Sequence, residues 1–206
     1  MKKSVILLVC ALVALPAVCV AQTTLTNEVI ECILARRSVR KYLDTPVEHE
    51  KLATIVHCGI NAPNGMNKQP WIIRVVEDPA FITETTALFV AKNPQMAERD
   101  PNFKNMYRNA PNIIVVASPE GGSGDVDAGL LGENMMLAAQ SLGLGTCCLG
   151  GPTRFLATDE SAQPYVQRLD IPEGYELNYI IAVGYPDESP EAKPRDASKV
   201  AYITAP

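Results

Sequence analysis

Residues 126–142 admit no polar face. Leu130, Leu131, Met135, Met136, Leu137, Ala138, Ala139 and Leu142 fall all round a helix of that length. Such a helix is buried centrally or lies at a subunit interface, because no side of it gains by facing water. Asp125 and Asp127 suit the positive start of its dipole. Whatever else the chain forms must wrap this element.

The flanking patterns supply that wrapping. Val29, Ile30, Ile33 and Leu34 at helical spacing predict a helix over 26–37 with Thr26 as its cap. Pro46 introduces a second helix over 48–60, with Leu52, Ile55 and Val56 inward, and 79–90 reads as a third. A run dense in β-branched residues predicts a strand over 71–76, a compact apolar run predicts a second over 112–117, and further strands are read over 146–149 and 177–183. A short helical stretch is expected over 163–169. Residues 93–109 are polar and irregular, a candidate mobile cover over a site. No internal repeat or low-complexity tract is present. The pattern is α+β, a small mixed or antiparallel sheet packed among helices.

The first residues stand apart. Lys2 and Lys3 precede an apolar run over 5–15, and Cys19-Val20-Ala21 offers small residues before Gln22. This is the layout of a secretory signal peptide over 1–21, which implies an exported, periplasmic product and a single domain over 22–206. A membrane anchor is the competing reading, but Pro16 interrupts the run, which is short for a span. A lipid anchor at Cys19 would need processing beside the bulky Val18. No later apolar stretch is long enough to cross a bilayer. Losing two lysines makes the formal charge of −5 more negative still, which argues against nucleic acid as a partner. Cys32, Cys58, Cys147 and Cys148 are not spaced as a disulfide scaffold. They read as structural thiols, with Cys147 and Cys148 on opposite faces of a strand.

Several chemistries lack their residues. Gly143-Leu144-Gly145 is missing the third glycine of a dinucleotide fingerprint and follows a helix. There is no phosphate-binding Gly-Lys-Ser/Thr loop and no Gly-x-Ser-x-Gly elbow. His49 and His57, the only histidines, sit two turns apart without a ligating neighbour, so no metal site is expected. No side-chain acid or base stands out as catalytic.

Three stretches remain. Arg36-Arg37-Ser38-Val39-Arg40-Lys41-Tyr42 and Lys193-Pro194-Arg195 supply forked, permanently charged donors suited to a phosphate. The first also reads as an ordinary basic helix end. Once the chain extends, Ser38 and Arg40 fall on one side of it. Between them, residues 61–71 supply amides and backbone donors suited to a flat heterocycle, ending in Asn67-Lys68-Gln69-Pro70-Trp71. The plainer reading of 61–71 is a loop that caps one helix and feeds a strand, with Trp71 as a core plug.

This ordered set resembles the nitroreductase family of flavin mononucleotide (FMN) oxidoreductases. The resemblance runs from about Thr26 to Arg195. It takes in Asn-x-Gln-Pro-Trp, Glu133-Asn134, Gly143-Leu144-Gly145-Thr146 and the terminal Gly184-Tyr185-Pro186. It implies a homodimer with a long central interface helix and two FMN at the interface. Arg36, Arg37, Ser38, Arg40, Lys193 and Arg195 would form the cofactor's basic cradle, with Arg36, Ser38, Lys193 and Arg195 on the phosphate. Arg40 would face the pyrimidine edge of the ring. Leu149, Gly150 and Gly151 would lie against the ring, and Pro63, Asn64 and Asn67 would come from the second subunit. The implied reaction is ping-pong hydride transfer from NAD(P)H to a nitroaromatic, quinone or similar electron-poor acceptor. NAD(P)H is a cytoplasmic reductant whereas the leader points outward, so either the donor differs, the leader is misread, or the exported enzyme meets another reductant. A second possibility is an exported, non-catalytic flavin-binding or scavenging protein of the same fold. A plain dimeric interaction protein, colourless when pure, is the third.

Overall fold

The fold is organised by one strand that is covered on both faces. In the computed structural model, which describes residues 25–122 and 124–205, the elements run α1 (Glu28–Ala35), α2 (His49–Ile60), β1 (Ile72–Val76), α3 (Pro79–Lys92), α4 (Pro94–Arg99), β2 (Asn112–Pro119), α5 (Asp125–Ser141), β3 (Gly145–Leu149), α6 (Gly150–Thr158), α7 (Gln163–Arg168) and β4 (Tyr175–Gly184). The strands form one antiparallel sheet in the order β1-β2-β4-β3. The leader expected over 1–21 lies outside the described residues.

Alternation along β2 explains the layering. Ile113 and Val115 point into a core with Ile180, Ala182, Tyr107 and the α3, α6 and α7 side chains. Ile114 and Val116 point into another, with Ile181, Val183, Trp71 and the inward residues of α2 and α5. All four β2 side chains are fully buried, each contributing roughly 1.5–3 kcal/mol of apolar transfer free energy. A bulge between Val116 and Ala117 leaves Asn178 unpaired in the ladder, and its amide donates to Asp125 at the start of α5 at 2.9 Å. The sheet is thereby tied to its central helix. Among the described residues no helix is long and apolar enough to cross a membrane.

Local chemistry shifts several boundaries. Asn27, not Thr26, caps α1, its side chain accepting from the Ile30 N–H at 3.0 Å. The helix stops at Ala35 because Arg36 turns extended. None of its side chains is buried, and Val29, Ile33 and Leu34 are largely exposed, so much of the apolar face has no cover among the described residues. Within 93–109 a short helix, α4, forms behind Pro94. Residues 150–158, to which the sequence assigned no element, form α6. All four described cysteines are free; Cys147 is buried and Cys148 exposed, while Cys32 and Cys58 are only half-buried.

A polar clasp closes the α2 side. Tyr185, just past β4, donates to the Glu48 carboxylate at 2.7 Å, and Lys51 donates to the Tyr185 hydroxyl at 2.5 Å. The Tyr185 hydrogen bond leads the effects that lower Glu48 from the usual 4.5 to about 2. A lowered carboxyl stabilises the fold above its unfolded value and ceases to do so as pH falls towards its folded value. Glu48→Gln is therefore expected to flatten the loss of stability between about pH 4.5 and 2, measured by urea melts across that window. A slope identical to the parent's would show the clasp to be energetically idle.

Candidate active site

The basic segment 36–42 is held as an extra strand along the edge of the sheet. Ser38 bridges Thr146 of β3 in parallel, and the Val39 N–H donates to the Thr146 carbonyl at 2.9 Å. Val39 points inward and is buried, so Ser38 and Arg40 both face out, as an extended chain requires. Tyr42 is buried and donates to the Val39 carbonyl at 2.6 Å; burial pushes its phenol far above the ordinary range. On the other side the segment meets the chain leaving β4. Leu43 N–H donates to the Tyr185 carbonyl, Asp187 N–H to the Lys41 carbonyl, both at 2.9 Å, and Arg40 N–H to Glu188 at 2.5 Å.

Beside this strand lies a cleft of about 1220 Å³, above the roughly 300–1,000 Å³ of most small-molecule sites. Its walls are Arg40–Tyr42, the end of β3 with Cys147, Cys148 and Leu149, the first turn of α6, and parts of 89–109. Asp187 and Glu188 complete the rim. A methyl group added at Gly150 or Gly151 would meet nothing within 4 Å, so a flat ligand can approach that backbone closely. No side chain caps α6, and the amide donors of its first turn are open to a partner. The Arg40 guanidinium bonds only to the Ser38 carbonyl, at 3.0 Å, and pairs with no carboxylate among the described residues. Burial pushes the Cys147 thiol up, against a downward pull from nearby Arg40 and Arg108. Open backbone, free amides and an uncompensated guanidinium suit a planar, carbonyl-edged anion.

Of the residues singled out in the sequence, Arg40, Leu149, Gly150 and Gly151 come together in this cleft. Arg36 and Ser38 share its strand but do not line it; Arg36 pairs with Glu133 on α5 at 3.4 Å. Arg37 donates to the Leu34 and Arg36 carbonyls at 2.6 and 2.8 Å and so caps the end of α1. Pro63, Asn64 and Asn67 lie in a separate loop. There Gly65 N–H reaches the Asp127 carboxylate at 3.3 Å, and Met66, Asn67 and Gln69 all adopt positive φ. Lys193 and Arg195 lie exposed on the tail, with Arg195 donating to the Lys193 carbonyl at 3.1 Å. Sequence reasoning offered 93–109 as a cover and named no site residue within 91–109, although Arg99, Asn105 and Arg108 line the cleft. The signal available was the spacing of Asn102, Asn105 and Asn109, which turns out to build the loop.

Comparison with known proteins identifies the fold and the family. The profile of the Nitroreductase family matches residues 33–185. The NADPH-flavin oxidoreductase of Vibrio harveyi is 31% identical over 176 residues, covering 82% of this chain and 70% of that protein. Among solved structures, a nitroreductase with bound FMN from Desulfitobacterium hafniense superposes with a TM-score of 0.77 at 28% identity. It covers 87% of this chain and all of that one. A second nitroreductase with bound FMN, from Bacteroides fragilis, gives 0.73 at 26% identity over the same shares. With the profile spanning the sheet, the central helix and the basic strand alike, the chain belongs to the nitroreductase family.

Proposed function

We propose that this chain is an FMN-dependent oxidoreductase that takes reducing equivalents from NAD(P)H and delivers them to a nitroaromatic, quinone or similarly electron-poor small molecule. The observation that carries the reading is the cleft, which Arg40, without a carboxylate partner among the described residues, lines together with the open backbone of Gly150 and Gly151. FMN, when bound, supplies the redox chemistry and alternates between donor and acceptor. The chain's own residues bind and orient. Leu149, Gly150 and Gly151 give the ring a close backbone surface, and Arg40 offsets negative charge at its pyrimidine edge. Arg36, Ser38, Lys193 and Arg195 would take the phosphate.

The cradle is completed by a second copy. Val29, Ile33 and Leu34 of α1 and Val126 and Leu130 of α5 are exposed apolar side chains on two helices that pack together. Pairing there would buried-pack the central helix and bring Pro63, Asn64 and Asn67 to the partner's flavin. Residues 1–21 would direct the protein to the periplasm; a native N-terminus at Gln22 by mass spectrometry is the expected result, and a retained Met1 would count against it.

Purified protein is expected to be yellow, with an FMN spectrum that bleaches anaerobically on adding NADPH. Retained FMN with no bleaching by NADPH or NADH, and no turnover of any acceptor, would turn the reading to a flavin-binding protein. Colourless protein that takes up no FMN would end both. Arg40→Ala should weaken FMN roughly ten- to hundred-fold, the range for a lost charged hydrogen bond. Unchanged flavin content and reduction would remove that role. Leu34→Asp with Leu130→Asp should give monomers by sedimentation and lose FMN, whereas flavin-loaded monomers would contradict the shared site.

A further inference from the structure

Residues 102–110 lack regular structure but are tied down on both sides. The Asn109 side-chain oxygen accepts the N–H groups of Lys104 and Asn105 at 2.8 and 3.0 Å, and its amide donates to the Asn102 carbonyl at 2.8 Å. Asn105 reciprocates, accepting from the Tyr107 and Asn109 N–H groups at 2.9 and 3.0 Å and donating to the Ala110 carbonyl at 3.1 Å. Below, the Met106 N–H donates to Thr86 at 3.2 Å, and the Tyr107 hydroxyl shares a hydrogen bond of 2.9 Å with Thr85. Met106, Tyr107 and Ala110 are buried.

Arg108 is the exception. It is exposed, at φ 62°, and Asn109 follows at 63°. Asparagine tolerates the left-handed region; arginine does so only when its surroundings impose it. A solvated surface cation would need no such constraint. The bonds around Arg108 fix the backbone on either side of it, and its side chain lines the cleft. Arg99, at the end of α4, lines the same wall. Neither Arg99 nor Arg108 pairs with a carboxylate within 4.0 Å among the described residues. Five basic side chains line the cleft against three acidic ones, in a chain whose formal net charge is −5.

Resting on the oxidoreductase reading above, we propose that Arg108, supported by Arg99, anchors a phosphate of the nicotinamide donor. With Arg40 and Leu149, Gly150 and Gly151 given to the flavin, and Lys104 paired with Asp44 at 2.5 Å, these two guanidiniums are the charged donors left without a carboxylate on the 89–109 wall among the described residues. Forked guanidiniums match phosphate oxygens two at a time. Nitroaromatic and quinone acceptors carry no such group, so Arg99 and Arg108 act on the donor half of the cycle and leave the acceptor half alone. The phosphate source is either the diphosphate bridge common to NADH and NADPH or the 2′-phosphate of NADPH alone.

The test titrates FMN-loaded protein calorimetrically with adenosine 2′,5′-bisphosphate and with ADP, which needs no turnover. Arg108→Gln should weaken at least one probe roughly ten- to hundred-fold. Arg99→Gln should weaken it less, and Arg108→Lys should keep part of the affinity. Loss confined to the bisphosphate assigns the 2′-phosphate; equal loss assigns the diphosphate. In steady state the KM for the donor rises while the acceptor KM and kcat hold. Arg108→Gly relieves the left-handed strain, so it should raise Tm while still losing the probe, separating binding from folding. Wild-type protein that binds neither probe, variants that bind both unchanged, or FMN loss on Arg108→Gln would each overturn the proposal. Failure of the oxidoreductase reading shows up elsewhere, as wild-type protein that does not bleach with NADPH or NADH.

Discussion

Truncating Tyr107 to alanine is expected to lower stability by about 3–5 kcal/mol, the usual cost of emptying a large aromatic site in a core. Tyr107 is fully buried, packed in the cluster with Ile113, Val115 and Ile180, and its hydroxyl meets Thr85 at 2.9 Å. Burial pushes its phenol well above the ordinary range, so it stays neutral at any working pH. Tyr107→Phe should cost only about 1 kcal/mol, because Thr85 keeps its donation to the Phe81 carbonyl at 2.6 Å and no buried donor is orphaned. The pair of variants therefore separates packing from hydrogen bonding in a denaturant melt. Tyr107 is also the floor on which Arg108 is presented, so any folded Tyr107→Ala protein should bind phosphate probes poorly. A loss below about 1 kcal/mol for the alanine variant would mean that the loop is not part of the core.

What could be read from the chain follows from how local each signal is. The strand β2 was legible because a run covered on both faces must be apolar throughout, and Ile113, Ile114, Val115 and Val116 are. The helix α5 was legible because its apolar residues leave no solvated side. Helix α6 was not, since Gly150-Gly151-Pro152 reads as a turn; Pro152 is tolerated because first-turn amides have no helical partner to lose. Periodicity located α1 and its apolar face but could not tell that Ile33 and Leu34 stay exposed among the described residues, because burial depends on elements distant in sequence. Of the site, Arg40 and Gly150-Gly151 were found through a motif, while Arg108 was missed. Its conformation is imposed by Asn105 and Asn109 acting across a loop, and no property of arginine announces it. Gln69 was equally opaque: a residue before proline favours extended backbone, yet it sits at φ 49°.

Gly145→Ala should separate the basic strand from the sheet and with it the flavin from the protein. A methyl group at Gly145 would lie 2.8 Å from Val39 Cβ, 2.8 Å from Cγ2 and 2.9 Å from Cγ1. A β-branched side chain cannot rotate all three atoms away, so the backbone of 36–40 has to move. Overpacking of this kind costs about 1–3 kcal/mol. The displacement also strains the Val39 N–H bond to Thr146, the contact that fixes how Arg40 stands relative to Gly150 and Gly151. FMN should bind roughly tenfold weaker or worse, equivalent to about 1.4 kcal/mol, with a lower Tm for both apo and loaded protein. Adding Val39→Gly removes all three clashing atoms and should restore part of the FMN content even though it deletes buried apolar surface. Recovery in the double variant is the informative result, because a merely unstable fold would be made worse by losing Val39. A Gly145→Ala protein that keeps its colour and its Tm would show that the basic strand takes its position from something other than the edge of β3.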